Sequence, residues 1–130
     1  MSPTQRTLAQ LRKDGFMAAV VERWNQYASI RQDLFGFIDV LAVSPDETLA
    51  VQSTVTGALA NHIDKLKGEC AEAVARWLAS GKRSLEAWGW GKYKLRRGGK
   101  AIRWRVRRVR LALTADGKIV CCELEPQDDE

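Results

Sequence analysis

Asp39 and Gln52 are the residues whose types and spacing most favour metal chemistry. Each lies in a short apolar segment, GFIDVLAV and LAVQST respectively, and the intervening SPDE favours a turn. Two such segments around a turn predict a β-hairpin. If Val43 pairs with Thr48 across the turn, Asp39 lies directly opposite Gln52, with the two Cβ atoms about 5 Å apart. A carboxylate and an amide oxygen so placed could share one divalent ion.

Two more acidic residues could join this site. Glu22 and Asp33 come from the strand and the loop that precede the hairpin, so they could complete an acidic cluster around Asp39. A carboxylate inside an apolar strand is costly without a partner, which favours a ligand role for Asp39 over a simple strand cap. Gln52 has the alternative of a hydrogen bond to the backbone, and Glu22 and Asp33 have the alternative of surface charges.

The net charge of +5 is unevenly distributed along the chain. Residues 81–112 carry +11 and the rest of the chain carries −6. A basic block of this kind indicates a polyanion partner, and the alternative is a solvated pair of basic strands. Alternating arginines would present successive guanidinium groups to phosphates. The candidate nucleic-acid-binding residues are Lys92, Lys94, Arg96, Arg97, Lys100, Arg103, Arg105 and Arg107.

The length of 130 residues predicts one domain, residues 1–124, followed by an acidic and frayed tail, residues 125–130. No apolar run approaches the roughly 20 residues that span a bilayer, and residues 1–14 lack the apolar core of a signal peptide. The three cysteines fit neither a zinc site nor a disulfide framework. A cytoplasmic protein without a membrane partner is therefore expected.

Hydrophobic periodicity predicts two helical regions around the hairpin. Thr4 could cap a first helix that ends near Lys13, and a second region runs from Gly57 to Gly81 with a break at Gly68. Its apolar stripe consists of Ile63, Leu66, Cys70, Val74 and Trp77. Between the first helix and the hairpin, residues 16–24 favour a strand and residues 25–35 a polar loop.

Three strands are predicted after the second helical region, at residues 84–93, 102–113 and 118–124. The alternation of the middle strand slips at Arg107–Arg108, which predicts a β-bulge. The tryptophans Trp24, Trp77, Trp88 and Trp90 are expected in the core, and His62 on an exposed helix surface. The order of elements predicts an α/β fold with a mixed central sheet flanked by helices.

This order and two of the segments resemble the PD-(D/E)xK nuclease superfamily, especially its small Holliday-junction-resolvase-like members. The segment LRKDGF is similar to the end of the family's first helix, and Asp39 matches the motif aspartate. Gln52 occupies the position of the second acidic residue, and Thr54 that of the motif lysine. The resemblance covers about residues 4–90. It implies a restriction-endonuclease-like αβββαβ core, extended here by a C-terminal β-hairpin.

Two departures from the family's pattern bear on catalysis. Gln52 replaces an acid, as in some active relatives, and still offers an oxygen to Mg²⁺. Thr54 supplies a hydroxyl but no positive charge, where the family's lysine orients the attacking water and steadies the transition state. Some family members carry this lysine on the following helix, where Lys65 and Lys67 stand in this chain.

Three functions are compatible with the sequence. The first is a DNA endonuclease or resolvase-like phosphodiester hydrolase that depends on Mg²⁺ or Mn²⁺. Its ligands would be Asp39, Gln52 and a backbone carbonyl near Ser53, aided by Glu22 or Asp33. The second is a catalytically inactive nucleic-acid-binding protein on the same fold. The third is a protein-interaction module of phage or mobile-element origin. DNA is the expected partner, and the sequence leaves a homodimer open.

Overall fold

The computed structural model describes residues 1–128 and shows a mixed α/β fold. A 3-10 turn, Thr56–Ala58, precedes the second helix. No helix in the described range is long and apolar enough to cross a membrane. In chain order the elements are α1 (Pro3–Lys13), β1 (Met17–Val20), β2 (Arg23–Asn25), β3 (Ile30–Gln32), β4 (Val40–Val43), β5 (Thr48–Val55), α2 (Leu59–Lys67), α3 (Ala71–Leu78), β6 (Arg83–Lys94), β7 (Ile102–Leu113), β8 (Ile119–Glu123) and β9 (Gln127–Asp128).

The central sheet has the strand order β1–β4–β5–β6–β7–β8, and the short β9 also pairs with β7. Neighbouring strands are antiparallel except β5 and β6, which are parallel and are connected through α2 and α3. Parallel neighbours require such a crossover because the chain must return to the same end of the sheet. The predicted mixed sheet flanked by helices is confirmed. The restriction-endonuclease-like identity of the core stays a prediction.

Helices cover both faces of the sheet. On one face, Leu11 of α1 packs into a buried cluster that contains Val51 and Trp88. On the other, Leu66 of α2 and Val74 of α3 pack with the apolar residues of the predicted stripe, which is thereby confirmed. Burying a Leu or Val side chain contributes roughly 1.5–3 kcal/mol. These two layers therefore hold the strands in a fixed order.

The register of β4 and β5 is the one that the sequence predicted. Val43 pairs with Thr48, and continuing the same register beyond the end of the strand pair sets Asp39 opposite Gln52. The turn is closed by Ser44, whose hydroxyl accepts two backbone N–H groups of the turn, each at 3.3 Å. A slip of one residue would send Asp39 and Gln52 to opposite faces of the sheet. The turn therefore determines the geometry of the site.

The helix ends differ slightly from the prediction. Ser2, rather than Thr4, caps α1, because its hydroxyl accepts the Gln5 N–H at 3.2 Å. The second helical region opens with a 3-10 turn before α2 begins at Leu59. The predicted break at Gly68 is confirmed, since α2 ends there and α3 follows.

The β-bulge predicted at Arg107–Arg108 is wrong. β6 and β7 pair without interruption from Leu85–Leu111 to Lys94–Ile102. The buried residues of β7 switch from one face of the strand to the other because α1 covers one face near one end of β7, and α2 and α3 cover the opposite face near the other end. Its Val106 packs on the α1 side and its Leu111 on the α2–α3 side.

Residues 25–35 were predicted to be a polar loop, but they contain β3, which pairs with β2 in a ribbon separate from the main sheet. The strand expected at residues 16–24 is accordingly divided between β1 and β2. Trp24, predicted to be in the core, lies on this ribbon and is 61% exposed. Trp88 and Trp90 are buried as predicted, and Trp77 is half-buried against the core.

The C-terminal tail is more ordered than predicted. Gln127–Asp128 forms β9 and pairs with Arg105 and Val106 of β7. The remaining residues of the tail, 129–130, lie outside the described residues.

Candidate metal centre

Three chain segments converge at the start of β4. The chain beyond β1 runs beside it, because the Val21 N–H donates to the backbone carbonyl of Asp39 at 2.8 Å. After the ribbon, Leu34 and Ile38 exchange two backbone hydrogen bonds of 3.0 Å across a tight turn. Asp33 directly precedes this bridge and Asp39 directly follows it. The turn therefore brings these two carboxylates together.

Glu22, Asp33 and Asp39 form the acidic cluster that the sequence predicted. One carboxylate oxygen from each residue lies within 4.8 Å of those of the other two. The guanidinium of Arg31 lies 3.0 Å from Glu22 Oε1 and partly offsets its charge. Asp39 is only 5% exposed and has no ion-pair partner within residues 1–128. Its carboxylate is thus the most buried and least compensated of the three.

The electrostatic environment of Asp39 favours its protonated form. Burial, a hydrogen bond with Asp33 and the negative charges of Asp33 and Glu22 raise the pKa of Asp39 to about 8. A hydrogen bond of 2.7 Å from the Ser53 N–H to Asp39 Oδ2 acts in the opposite direction but does not prevail. At neutral pH the cluster therefore holds a proton unless a cation takes its place.

Gln52 supplies a second, independent sign of a ligand. Its side chain is buried, with only 1% of the residue exposed, and its Nε2 donates to Asp33 Oδ2 at 3.4 Å. Its Oε1 is also buried but accepts no hydrogen bond from the described chain. An orphaned buried acceptor costs about 1–3 kcal/mol. Rotation of the amide by 180° would turn Oε1 toward the carboxylates, which is favourable only with a cation between them.

The residues present fit a hard divalent cation. Mg²⁺ takes oxygen ligands and commonly keeps several waters. The oxygens available here come from Asp39, Asp33, Glu22 and Gln52. An ion among them would replace the proton on the carboxylates, and it would satisfy Gln52 Oε1 once the amide has rotated.

The two candidate lysines differ in position. Lys65 is half-buried and lines a cavity of about 610 Å³ together with Asp33. Lys67 is exposed, and two residues along a helix point about 200° apart. Thr54 is half-buried and lies on the same strand face as Gln52. Of the two candidate lysines, Lys65 is therefore the one that shares a cavity with Asp33.

His62 was predicted to be exposed, but it is half-buried, and its Nδ1 accepts or donates no hydrogen bond within the described residues. Burial and the charge of Lys65 lower the pKa of His62, whereas Asp33 raises it. These influences place His62 close to the site. The sequence signal for this position was the three-residue spacing between His62 and Lys65, because residues three apart on a helix are neighbours on one face.

The arginine row of β7 consists of Arg103, Arg105 and Arg107, and each of them is paired with a carboxylate. Arg105 Nε lies 2.6 Å from Asp128 Oδ1, and Arg107 Nε lies 2.7 Å from Glu123 Oε1. Arg103 Nη1 is 3.8 Å from Asp128 Oδ2. The hydrogen bond to Arg105 lowers the pKa of Asp128, and the same bond raises the pKa of Arg105. The other predicted basic residues are exposed at the end of β6 or in the loop after it: Lys92, Lys94, Arg96, Arg97 and Lys100.

The arginine row and the acidic cluster share one face of the sheet, and the 3-10 turn lies beside the row. Gly89, opposite Arg107 on β6, makes room for this turn, since a Cβ there would lie 3.2 Å from atoms of Thr56 and Leu59. The Thr56 hydroxyl donates to the Gly89 carbonyl at 3.3 Å. A strand of nucleic acid that contacts both sites would therefore have to cross this turn.

Comparison of the chain with protein-family models, with curated proteins and with solved structures found no match. The resemblance to the PD-(D/E)xK superfamily thus depends on the order of the elements and on the motif positions around Asp39. Membership in that superfamily stays a prediction.

Asp39→Asn should stabilise the metal-free protein at pH 8. The folded pKa near 8 lies above an unfolded value of about 3.9. The stability of the wild type should therefore fall as pH rises from about 4 to about 8 and then level off. An asparagine amide can donate to Asp33 and still accept from the Ser53 N–H. In EDTA we expect a gain of about 1–3 kcal/mol in unfolding free energy at pH 8, and less at pH 5.

Asp46→Asn is the matched control, because Asp46 is exposed in the β4–β5 turn. It should show no such pH-dependent gain. Mg²⁺ should raise the melting temperature of the wild type but not that of Asp39→Asn. Destabilisation of Asp39→Asn at pH 8 would show that the ionised carboxylate supports the fold.

Proposed function

We propose that the protein is a nuclease that depends on Mg²⁺ or Mn²⁺ and hydrolyses phosphodiester bonds of DNA, with a degenerate PD-(D/E)xK site. The observation that carries the proposal is the buried, uncompensated carboxylate of Asp39 beside the orphaned Oε1 of Gln52. One divalent ion would compensate the carboxylate of Asp39, and it would bind Gln52 Oε1 once the amide has rotated by 180°, since Nε2 faces Asp33 in the structure. The succession of α1, β1, β4, β5, two helices and β6 is compatible with the αβββαβ order of that superfamily.

Asp39, Asp33, Glu22 and Gln52 would hold the ion. The ion would supply an activated water and neutralise the charge of the scissile phosphate. The chain itself contributes orientation, because the Ser53 N–H holds Asp39 Oδ2 at 2.7 Å. Gln52 in place of an acid leaves the site with one negative charge fewer, so the remaining carboxylates have to provide the affinity.

Lys65 would take the role that Thr54 cannot fill. A cation beside the ion-binding carboxylates can orient the attacking water and stabilise charge that develops on the phosphate. Lys65 lines the same cavity as Asp33, and it reaches that position from α2 rather than from the motif strand. Its charge also acts on His62, one helical turn away.

A non-catalytic nucleic-acid-binding protein is the second candidate. The observation that favours it is Thr54, a neutral residue at the position of the motif lysine. The exposed Arg96, Arg97 and Lys100 have no ion pairs within the described chain and could bind backbone phosphates under either function. Cleavage assays distinguish the two candidates.

The nuclease proposal predicts metal-dependent cleavage that requires Asp39. Purified protein should cut at least one member of a DNA panel of single strands, flaps, duplexes and junctions with Mg²⁺ or Mn²⁺, but not with EDTA. Asp39→Ala should lower the rate at least about 100-fold, because the ion loses its central ligand. Asp46→Ala, an exposed change of the same type, should leave the rate unaltered. An inactive wild type with both metals would favour the binding protein.

Lys65→Ala should lose cleavage, whereas Lys67→Ala should retain it. Loss of a group that stabilises developing charge costs about 10²–10³-fold in rate. The two variants remove the same charge from one helix, so they differ only in the face of α2 that they affect. DNA affinity should be similar in both. Full activity of Lys65→Ala would mean that no lysine of α2 replaces the motif lysine.

Asp128→Asn should strengthen binding of DNA if the arginine row binds phosphates. In the wild type Asp128 forms ion pairs with Arg103 and Arg105, and a surface ion pair of this kind contributes about 0.2–1 kcal/mol of stability. Its removal should lower the Kd about two- to fivefold, measured by fluorescence anisotropy in EDTA. Asp116→Asn, in the turn between β7 and β8, controls for the change in net charge. Equal effects of the two variants would place the binding surface elsewhere.

A further inference from the structure

The β2–β3 ribbon presents apolar side chains that the fold does not use. Trp24, Tyr27, Ile30 and Phe35 are 61%, 93%, 49% and 66% exposed, all within twelve residues. Exposed apolar side chains are normally scattered singly, so several in one short segment indicate an interaction site. Trp24 and Ile30 lie on opposite faces of the ribbon, since Trp24 pairs with Arg31 and Ile30 with Asn25. An isolated two-stranded ribbon is marginally stable by itself. We therefore expect these side chains to contact a binding partner.

The backbone of the same segment is strained. Ser29 and Phe35 have φ angles of 54° and 56°, and they are the only non-glycine residues with positive φ in the described chain. For a bulky residue such as Phe35 this conformation is a genuine outlier. Gly36, which follows with φ of 84°, adopts it without cost. Strain retained to hold an exposed phenyl ring suggests that the ring serves in binding.

The register of the ribbon places Trp24 next to the metal centre. Trp24 pairs with Arg31, and continuing the same register sets Glu22 opposite Asp33. Alternate residues of a strand share a face. Trp24 and Arg31 therefore lie on the same ribbon face as two carboxylates of the acidic cluster.

Phe35 stands at the junction of two cavities. It lines the cavity of about 610 Å³ that Asp33 and Lys65 also line, and a groove of about 820 Å³ that Trp77 also lines. Both volumes fall in the range of small-ligand sites, about 300–1,000 Å³.

We propose that the ribbon binds unpaired nucleotides of the substrate, with bases stacked on Trp24 and Phe35 beside the metal centre. This inference rests on the proposed function and names its substrate class: nucleic acid with a single-stranded segment, such as a flap or a free strand. Aromatic side chains accept any base by stacking, but only when the base is not already stacked in a duplex. Arg23, Arg31 and Lys65 line the cavity of about 610 Å³ beside Phe35, and their charges complement those of phosphates.

The test compares the affinity for a fluorescein-labelled single strand with that for the blunt duplex of the same sequence, in EDTA so that no cleavage occurs. Trp24→Ala should weaken single-strand binding about 5- to 100-fold, the loss expected for one base–aromatic stack, and leave duplex binding unchanged. Trp24→Phe should retain most of the affinity. Val120→Ala, an exposed apolar change on β8, is the control and should alter neither.

Phe35→Gly separates a binding role from a structural one. Glycine relieves the positive φ, so this variant should be at least as stable as the wild type while it binds the single strand more weakly. A loss of stability would show that the phenyl ring serves the fold. Equal weakening of single-strand and duplex binding by Trp24→Ala, or no single-strand binding by the wild type, would overturn the inference and favour a protein partner for the ribbon.

The experiments distinguish failure of the nuclease proposal from failure of the proposal that the ribbon binds single strands. Trp24-dependent binding of single strands without any cleavage, in Mg²⁺ or Mn²⁺, would refute the nuclease and support the ribbon site. Metal-dependent cleavage with no contribution from Trp24 to single-strand binding would support the nuclease and refute the ribbon site.

Discussion

A carboxylate buried without a countercharge is the constraint on which the site depends. Glu86, 4% exposed, shows the usual solution, because Arg110 Nη1 and Trp88 Nε1 donate to it at 2.7 and 2.9 Å. Asp39 is equally buried, two strands away, yet its nearest charges are negative. A buried charge without partners costs far more than a paired one. Glu86 is therefore a paired residue of the interior, whereas Asp39 is the residue on which the proposed metal site depends.

The paired network also explains why the unpaired site keeps its geometry. Arg110 Nη2 donates to Glu47 Oε2 at 2.8 Å, and Glu47 belongs to the β4–β5 turn. Ser84 donates to the same carboxylate, so β6 and β7 are both tied to the turn. Because that turn sets the register of β4 and β5, a satisfied network at one end of the hairpin holds Asp39 near Gln52 at the other.

The parts of the structure that the sequence predicted are those in which one strong local signal acts. The SPDE turn gave the β4–β5 register, and therefore the position of Asp39 opposite Gln52. The change of phase in β7 was misinterpreted because its causes are tertiary: helices cover different ends of the two faces, and Arg108 lies over the ring of Trp88 at 5.8 Å. The ribbon was missed because, without a core, its residues need not alternate. The position of Lys65 could not be predicted, since it depends on how α2 lies across the sheet.

The metal centre and the ribbon are linked through the same carboxylates. Glu22 and Asp33 flank the ribbon at its base, where two like charges repel and Arg31 offsets only one of them. A divalent ion shared with Asp39 would turn this repulsion into attraction and tie the ribbon to the start of β4. Since fixing mobile side chains costs entropy, an ion that orders the ribbon would also lower the cost of stacking a base on Trp24. In the proposed nuclease, the ion would thus help to position the strand whose phosphate it activates.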